Sequence, residues 1–448
     1  MKYVVQCFLL LLPAMVWAQE KEENLVTAHA FTIADCIEYA KRHNVQVKNA
    51  LLNVQIQQQT NRNITSAALP TISGNAAFTD YLQIPVSVIP GEIFGGAPGS
   101  FVPVQFGVKY NTNVGLNLQQ LLFDGQVFVG LQARKASIEF QQKAYEVTAQ
   151  AIRANIYKIY YQLVAAKTQL EILDANIVRA KKFESDAKAL YKNGFAEKLD
   201  ADRAAVQVAN LEMQRMSVQT QIDNGYVGLK FLMGMPIKDS LLLTETISED
   251  QLKEQLLDNN YDYNNRLEYQ YAMLGKRLGE YNVKRYKLAY LPTVALSGTY
   301  VHQTQRNQFD MFKKGTPWFN TSIIGLNISV PIFDGFAKDA NLRKAKLELQ
   351  QTENNIADFK NQVDNEVKQA YNTYKNAILM LDNLKKNSNL AEQVYLQTKK
   401  KFESGLASNT DVTNTQADLI TAQTNYINAM YTAIIAKVDY MKATGKLP

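Results

Sequence analysis

The feature that most constrains this chain is an internal duplication built around two very long segments that almost lack glycine and proline. Residues 120–126 read QLLFDGQ and residues 331–337 read PIFDGFA, so Phe-Asp-Gly occurs twice, 210 positions apart. The segment 126–191 contains no Pro and only one Gly, and 336–404 contains neither. At 1.5 Å per residue the first segment predicts a helix of about 100 Å, whereas ordinary helices average about 11–12 residues. The pattern therefore predicts an elongated molecule.

Further matched positions fix the register of the duplication, which must be identified before a fold is assigned. The offset is 222 before the first strand of each half and 211 after the long helix. The connection between the two strands is therefore longer in the first half, and surface connections tolerate insertions best. The matched residues are Leu69-Pro70 with Leu291-Pro292, Phe123-Asp124-Gly125 with Phe333-Asp334-Gly335, Gly194 with Gly405, Asp200 with Asp411, and Gly234 with Gly445.

Both long segments carry a seven-residue apolar repeat with alternating spacings of four and three. A sustained repeat of this kind predicts a coiled-coil seam. Apolar and small residues also occur off the seam, which favours a closed ring of helices over an isolated pair. The seam residues are Tyr145, Ala149, Ile152, Ile156, Ile159, Leu163, Ala166, Leu170, Leu173, Ile177 and Ala180 in the first half, and Val363, Val367, Ala370, Tyr374, Ala377, Leu381, Leu384, Ser388 and Ala391 in the second.

Alternation of apolar and polar residues predicts two strands in each half, with one apolar and one polar face. Strands of about ten residues with this pattern are typical of outer-membrane β-barrels, where the apolar face meets lipid and the polar face meets water. Four strands cannot close a barrel, and backbone groups at membrane depth must be paired. The chain is therefore expected to oligomerise, and three copies would supply twelve strands. Candidate wetted residues are Asn111, Asn113, Asn117 and Asn327, and candidates for an aromatic girdle are Tyr110, Tyr300 and Trp318.

Each half is thus predicted as helix, strand, loop, strand, very long helix, tight turn and helix. The first helix is expected over 31–68 with Thr32 as a plausible N-cap, and a Pro/Gly-rich loop over 85–103. The predicted organisation is a first repeat at 19–236 (strands near 71–84 and 105–123, long helix near 126–191, return helix near 199–232), a connecting segment at 237–264, and a second repeat at 265–448 (strands near 293–304 and 319–333, long helix near 336–402, return helix near 411–443).

The N-terminus reads MKYVVQCFLLLLPAMVWAQE. A positive start, a short apolar run and small residues before Gln19 predict a secretory signal peptide at residues 1–18. Residues 19–30 are polar and are expected to be loose. Cys36 is expected to be a small core residue without a disulfide partner, because the other cysteine, Cys7, lies in the signal peptide.

No pattern in the sequence indicates an enzyme, a cofactor or a metal site. The three histidines, His29, His43 and His302, share no ligand spacing, and no phosphate-binding loop or CxxC is present. The chain carries a formal charge of +6 without a basic run, so nucleic-acid binding is not expected.

Taken together, these features resemble the TolC family of outer-membrane efflux proteins over essentially the whole mature chain. The resemblance is carried by FTIADCIEYAKRHN at the start, the two Leu-Pro helix ends, the two FDG strand ends, and the turn motifs YKNGFAEKLDADRAAVQVANLE and FESGLASNTDVTNTQADLITAQ. It implies a mainly helical homotrimer with a 12-stranded β-barrel in the outer membrane of a Gram-negative bacterium, continued by a 12-helix α-barrel tunnel across the periplasm.

The resemblance also implies partners and site residues. The turns at 192–199 and 403–410 would be periplasmic tips that meet an adaptor (membrane fusion) protein, which links the channel to an inner-membrane RND or ABC pump. Asp411 and Asn414 lie where the family archetype carries an acidic ring at the narrow end, and Asp200 is the equivalent position in the first repeat. The archetype locks its tip with a Tyr and an Arg. The matching residues here are Phe402 and Ala407, which cannot form that polar lock.

Each candidate residue also has a structural interpretation. Asp411 and Asp200 are well placed as helix N-caps. Gly194 and Gly405 suit a left-handed turn, whereas an adaptor contact would use the two turns as docking points. Asp124 and Asp334 are interpreted as caps at the junction of strand and helix, with Gly125 and Gly335 making the bend. The proposed docking residues are Asn193, Gly194, Phe195, Ser404, Gly405 and Leu406.

The leading functional prediction is an outer-membrane channel of a tripartite efflux or type I secretion system that conducts passively. The alternative is a non-conducting, exported coiled-coil spacer or adaptor. The amphipathic strands favour the channel, because a spacer does not need them.

Overall fold

The computed structural model describes residues 28–246, residue 252 and residues 261–447. The signal peptide predicted at residues 1–18, and part of the segment 237–264, lie outside these residues. The helices are α1 (Ile33–His43), α2 (Val45–Ser66), α3 (Gly125–Lys192), α4 (Lys198–Met233), α5 (Leu267–Leu288), α6 (Ala337–Glu403) and α7 (Asn409–Ala443). The strands are β1 (Ala28–Phe31), β2 (Thr71–Asp80), β3 (Val86–Pro90), β4 (Phe101–Gln105), β5 (Tyr110–Phe123), β6 (Ser240–Leu243), β7 (Thr293–Arg306) and β8 (Phe319–Ser329).

The main sheet has four antiparallel strands in the order β2-β5-β7-β8, so the two halves of the duplication meet at the pairing of β5 with β7. Tyr110 lies opposite Arg306 at one end of this central pair. A bulge at Leu121–Phe123 shifts the register at the other end, where β5 leads into α3. Bulges bend a strand and are common at the rims of sheets.

The strands differ in extent from the sequence prediction in a physically informative way. β2 ends at Asp80 and not near residue 84, and β8 ends at Ser329, two residues before Pro331. Pro331 lacks an N–H and cannot continue a ladder. The prediction of a loop over 85–103 was wrong, because most of this segment belongs to a second hairpin formed by β3 and β4.

The first helix was also predicted wrongly, as one segment over 31–68. The helix breaks at Asn44, which has extended backbone angles. The Asn44 side chain accepts a hydrogen bond from Val47 N at 3.1 Å and donates one to Leu232 O at 2.7 Å. A Cβ at Gly234 would lie 2.5 Å from His43 O, so the end of α4 packs directly against the break. The break is therefore set by a tertiary contact.

Residues 28–30, expected to be loose, and Phe31, expected to begin the first helix, form β1, which pairs in parallel with β6. Tyr160 of α3 supports this small sheet because its hydroxyl donates to Phe31 O at 3.3 Å and accepts from Glu245 N at 3.2 Å. Tyr160 is fully buried, and burial raises its pKa to about 12. The small sheet therefore joins the N-terminal segment to the chain beyond α4, beside the long helix.

Helix packing follows the seven-residue seam. α3 packs along α4, and α6 packs along α7, so each half is an antiparallel helical hairpin. Tyr374 of α6 is buried against α7, whose contact face is rich in alanine. Small residues allow helices to approach closely, and a large ring opposite them fills the remaining space. Within the described residues, no helix combines the length and the apolar character needed to cross a membrane.

Candidate functional site

The first tip, residues 192–199, turns α3 into α4 through a Schellman motif. Gly194 has φ 77° and donates to Tyr191 O at 3.0 Å, and Phe195 donates to Leu190 O at 2.9 Å. These two bonds satisfy carbonyls that the helix end would otherwise leave free. Glycine is required at this position because its φ is positive.

The second tip, residues 403–410, repeats the same geometry at an offset of 211. Gly405 has φ 74° and donates to Phe402 O at 2.9 Å, and Leu406 donates to Lys401 O at 2.8 Å. The two tips therefore present the same backbone shape at the ends of two hairpins.

Each tip exposes one large apolar side chain. Phe195 is 81% exposed and Leu406 is 79% exposed. In Schellman motifs a hydrophobic residue at this position frequently packs back on the last turn of the helix, but here both side chains remain in solvent. Exposed apolar residues at equivalent positions of two turns suit contact with another protein.

Asp411 is not the N-cap of α7, which corrects one of its two interpretations. The N-cap is Ser408, and Asp411 is the third helical residue, where the two form a capping box. The Asp411 carboxylate accepts from Ser408 Oγ at 2.7 Å and from Ser408 N at 2.9 Å. These bonds, the side-chain bond first, hold the pKa of Asp411 below its ordinary value. Asp411 is therefore exposed, oriented and ionised.

Asp200 occupies the equivalent position in α4 but lacks the same support. The N-cap there is Glu197, which forms no side-chain capping bond, so Asp200 is not the N-cap either. One turn further on, Arg203 donates to Thr410 Oγ1 at 2.9 Å. This bond brings the beginnings of α4 and α7 together within one chain. Asn414, the residue matched to Arg203, is exposed on α7.

Phe402 lies at the position where the family resemblance implies a locking tyrosine. Its ring packs edge-on against Phe183 of α3, with centroids 5.5 Å apart. Tyr395 and Val412 are buried in the same cluster. The half-buried Ala407 lies beside the turn. The two hairpins are therefore joined here by apolar contact.

A buried polar group between α3 and α7 was not anticipated from the sequence. Asn176 is fully buried, donates to Gln423 Oε1 at 3.0 Å, and accepts from Arg179 at 2.9 Å. Buried polar side chains fix the register of packed helices, because a slip would leave them unpaired. Asparagine and glutamine are common throughout this sequence, so their identity alone gave no signal.

At the first strand–helix junction, Asp124 caps α3. Its Oδ1 accepts from Gln126 N at 2.7 Å and from Val127 N at 3.3 Å. Gly125 is the first residue of α3 and does not have a positive φ, so a left-handed backbone is not the reason for glycine at this junction. A Cβ on Gly125 would lie 2.7 Å from both Leu288 O and Leu288 Cβ. Glycine is needed here for the close approach of α5.

The second junction is built differently. Gly335 has φ 66° and Phe336 has φ 68°, so the chain turns through two left-handed residues before α6. Phe336 is the N-cap residue and forms no side-chain capping bond. Asp334 instead accepts from Lys338 N at 3.0 Å and from Lys338 Nζ at 3.1 Å. Phe333 packs edge-on against Phe336.

The polar face of the sheet carries a chain of amide and hydroxyl hydrogen bonds across its strands. Asn117 donates to Asn75 Oδ1 at 3.0 Å and accepts from Thr299 at 3.2 Å. Asn327 donates to Ser297 Oγ at 3.1 Å. Of the residues predicted to face water, Asn117 and Asn327 take part in these hydrogen bonds. Asn111 and Asn113 lie on the same face of β5 as Asn117. Around these hydrogen bonds the face is therefore polar but uncharged.

The aromatic residues expected to form a girdle divide into two groups. Tyr110 packs with Phe78 and Phe309 at the end of the sheet distant from the long helices. Trp318 stacks on His302 near the same end, with centroids 4.7 Å apart. Tyr300 instead lies opposite Leu116 in the middle of the strands.

Comparison with known proteins agrees with this architecture. The chain matches the family described as outer membrane efflux protein over residues 103–235 and 264–446. It is 20% identical to the proteases secretion protein PrtF of Dickeya chrysanthemi, covering 74% of this chain and 72% of that protein. It is 21% identical to the outer membrane protein TolC of Vibrio cholerae, covering 75% and 77%. The fold is similar to the CmeC outer membrane channel of Campylobacter jejuni, with a TM-score of 0.75, 19% identity, and coverage of 93% of this chain and 86% of that one.

Proposed function

The chain belongs to the outer membrane efflux protein family, and on that premise we propose that it is the outer-membrane channel of a tripartite efflux or type I secretion system. It conducts substrates passively to the exterior, and its helices extend into the periplasm. The energy comes from an inner-membrane pump that reaches the channel through a periplasmic adaptor.

The observation that carries this proposal is the continuity between sheet and helices. β5 passes through Asp124 directly into the 68 residues of α3, and β8 leads through Asp334 into the 67 residues of α6. Each of these helices is about 100 Å long. The sheet exposes apolar side chains such as Ile324 and Leu326 on one face, and its other face carries the hydrogen-bonded amide and hydroxyl side chains. A lipid-facing wall that continues into long helices suits a conduit across the outer membrane and periplasm.

We infer that three copies assemble to close the conduit. Among the residues that the structure describes, the sheet has two open edges, β2 and β8, and every residue of β2 is exposed. Unpaired strand edges at membrane depth are too costly to persist. Pairing β8 of one copy with β2 of the next gives twelve strands from three copies, and the two helical hairpins of each copy give twelve helical passages.

The narrow end is assigned to the tips. In a threefold arrangement Asp411 contributes three carboxylates, and Asn414 adds polar groups without charge. The bond between Arg203 and Thr410 brings the beginning of α4, which contains Asp200, to the beginning of α7. The capping box supports a fixed, ionised ring at Asp411, which would favour cations at the constriction.

The adaptor contact is assigned to the two tip turns, Asn193-Gly194-Phe195 and Ser404-Gly405-Leu406. Support comes from the shared backbone geometry and from the exposed Phe195 and Leu406. The pump behind the adaptor is of the RND or ABC class. The Dickeya relative is a proteases secretion protein, and that route would require an ABC exporter.

Planar-bilayer recording of the purified protein tests this function. We expect discrete current steps from a stable oligomer. A protein that is folded and oligomeric but never conducts would contradict the channel and favour the alternative of a structural spacer.

A further inference from the structure

The connection between β2 and β5 carries an apolar surface that the described residues of a single copy leave uncovered. Glu92 is the only charged residue between Asp80 and Lys109. The hairpin of β3 and β4, with its flanking residues 81–85 and 106–108, packs mainly on itself. An apolar patch of this kind normally marks an interaction site. Seven of its apolar side chains are more than half exposed: Leu82, Val86, Val88, Ile93, Phe94, Phe101 and Phe106.

The tip of this hairpin, residues 91–100, is held in a defined turn by its own hydrogen bonds. Gly91 N donates to Ser100 O at 2.7 Å, and Gly95 has φ 78°. A Cβ on Gly91 would lie 2.3 Å from Ser100 Oγ, so the turn is closed tightly. Glu92 Oε1 accepts from Gly99 N at 2.9 Å. The only carboxylate of the hairpin is therefore bound to its own backbone.

The hairpin begins where the membrane band ends. β2 has ten residues, and at a tilt of about 40° they rise about 25 Å, which is the height of the apolar band of such barrels. Charged groups mark the outer end of the sheet at Asp80, Lys109 and the ion pair of Arg306 with Asp310 at 2.7 Å. Lipid tails therefore do not reach the hairpin.

The hairpin is long enough to reach the axis of a closed barrel. Twelve strands spaced about 4.8 Å apart and tilted about 40° enclose a radius of about 12 Å. The ten residues from Tyr81 to Pro90 would span at most about 33 Å when fully extended, and the last five of them form the strand β3. The equivalent connection of the second repeat, 307–318, is shorter and carries Asp310, Lys313 and Lys314. Each copy therefore contributes one apolar hairpin to the outer mouth.

We propose that the apolar hairpin docks against the same hairpin of two other copies and closes the outer mouth of the channel. This inference rests on the trimeric channel proposed above. Three uncharged, apolar hairpins around a threefold axis cover one another without bringing free charges together. The conduit then has a second closure, held by apolar contact, at the opposite end from the tips.

Single-channel recording of Phe101→Asp tests the closure. Three carboxylates near the axis repel one another, so we expect at least a twofold rise in mean conductance or open time. The matched control is Phe312→Asp, since Phe312 is 82% exposed in the connection 307–318, outside the hairpin. The control should behave as the wild type. Equal currents in Phe101→Asp and wild type would overturn the proposal.

Cross-linking of Phe94→Cys tests the contact independently of conduction. We expect mild oxidation to give a covalent dimer band, because a disulfide requires Cα atoms within about 7 Å. Phe312→Cys should give none, and native Cys36 is buried. Absence of the dimer, or quenching of a fluorophore on the Phe94→Cys variant by brominated lipid, would overturn the docking. If the wild type never conducts, the proposed function fails, whereas the dimer band still decides whether the hairpins meet.

Discussion

At the scale of single residues, a carboxylate at the tip shows how one side chain serves two purposes. Asp411 satisfies the N-terminal turn of α7 through Ser408, and the same bonds orient its carboxylate. Its counterpart Asp200 follows Glu197, which forms no capping bond. The duplication has therefore kept the acidic position in both repeats, but only one of them is held in place.

Replacing Asp411 tests its place in the constriction. We expect Asp411→Ala to reduce the cation-to-anion permeability ratio by about twofold or more, because a ring of fixed charge concentrates counter-ions. Reversal potentials in asymmetric salt measure this ratio. Asp358→Ala removes the same charge from an exposed site on α6 distant from the tips and should leave the ratio unchanged. An unchanged ratio in Asp411→Ala would remove this residue from the pore.

The dependence of selectivity on pH follows from the capping box. The hydrogen bonds from Ser408 lower the pKa of Asp411, so the carboxylate stays ionised as the pH falls below the ordinary range for aspartate. Ser408→Ala removes the side-chain bond and raises this pKa. Cation selectivity should therefore be lost at a higher pH in Ser408→Ala than in the wild type. Ser404→Ala is the control, because the Ser404 hydroxyl donates to Lys400 O and touches no carboxylate. Identical titrations would contradict the assignment.

At the scale of elements, the two helical hairpins end in turns of the same shape, yet they begin at junctions of different construction. At the first junction Asp124 caps α3, which lies close to α5. At the second junction the chain turns through two residues with left-handed backbone angles, Gly335 and Phe336. Short turns have few solutions, whereas a junction between sheet and helix depends on what packs beside it.

The tips should carry adaptor affinity through their apolar residues. We expect the double variant Phe195→Asp with Leu406→Asp to lose about 2 kcal/mol or more of binding energy, which is roughly 30-fold in affinity. Binding of the cognate adaptor to the immobilised channel measures this loss. Phe231→Asp is the control, since Phe231 is 79% exposed near the opposite end of α4. Full binding by the double variant would exclude these tip side chains from the contact.

The close approach at Gly125 should be sensitive to a single methyl group. Gly125→Ala places a Cβ against Leu288, and overpacking of this kind costs about 1–3 kcal/mol. Gly228→Ala has open space around its Cβ and should stabilise α4 by up to about 1 kcal/mol. The temperature at which helical circular dichroism is lost should therefore fall in the first variant and hold or rise in the second. The reverse order would contradict the packing argument.

At the scale of the whole molecule, the described residues form an open four-stranded sheet that continues into two helical hairpins. The sheet is apolar on one face and polar on the other, and both edge strands lack partners within the described residues. The contacts of Phe402 with Phe183 and of Arg203 with Thr410 join the two hairpins into one unit. The unit is therefore suited to repeat around an axis.

The assembly should contain three chains. We expect native mass spectrometry of the detergent-extracted protein to give about three times the mass of one chain, because twelve strands require three four-stranded sheets. Any other stoichiometry would contradict the proposed barrel.

The sequence by itself determined the features that depend on local periodicity. The duplication, the long helices, the alternating strands and the glycine turns of the tips all follow from spacing, because a helix or strand imposes its own period on the apolar residues. Family resemblance then identified the architecture, and the family match agrees with it.

Only the tertiary structure decided the features that depend on contacts between distant segments. The break at Asn44, the need for glycine at Gly125, the buried Asn176 and the bond of Arg203 to Thr410 each join residues far apart in sequence. The hairpin of β3 and β4 was hidden for a related reason. Its prolines and glycines indicate a loop locally, whereas pairing across the chain makes it a strand pair with an apolar surface.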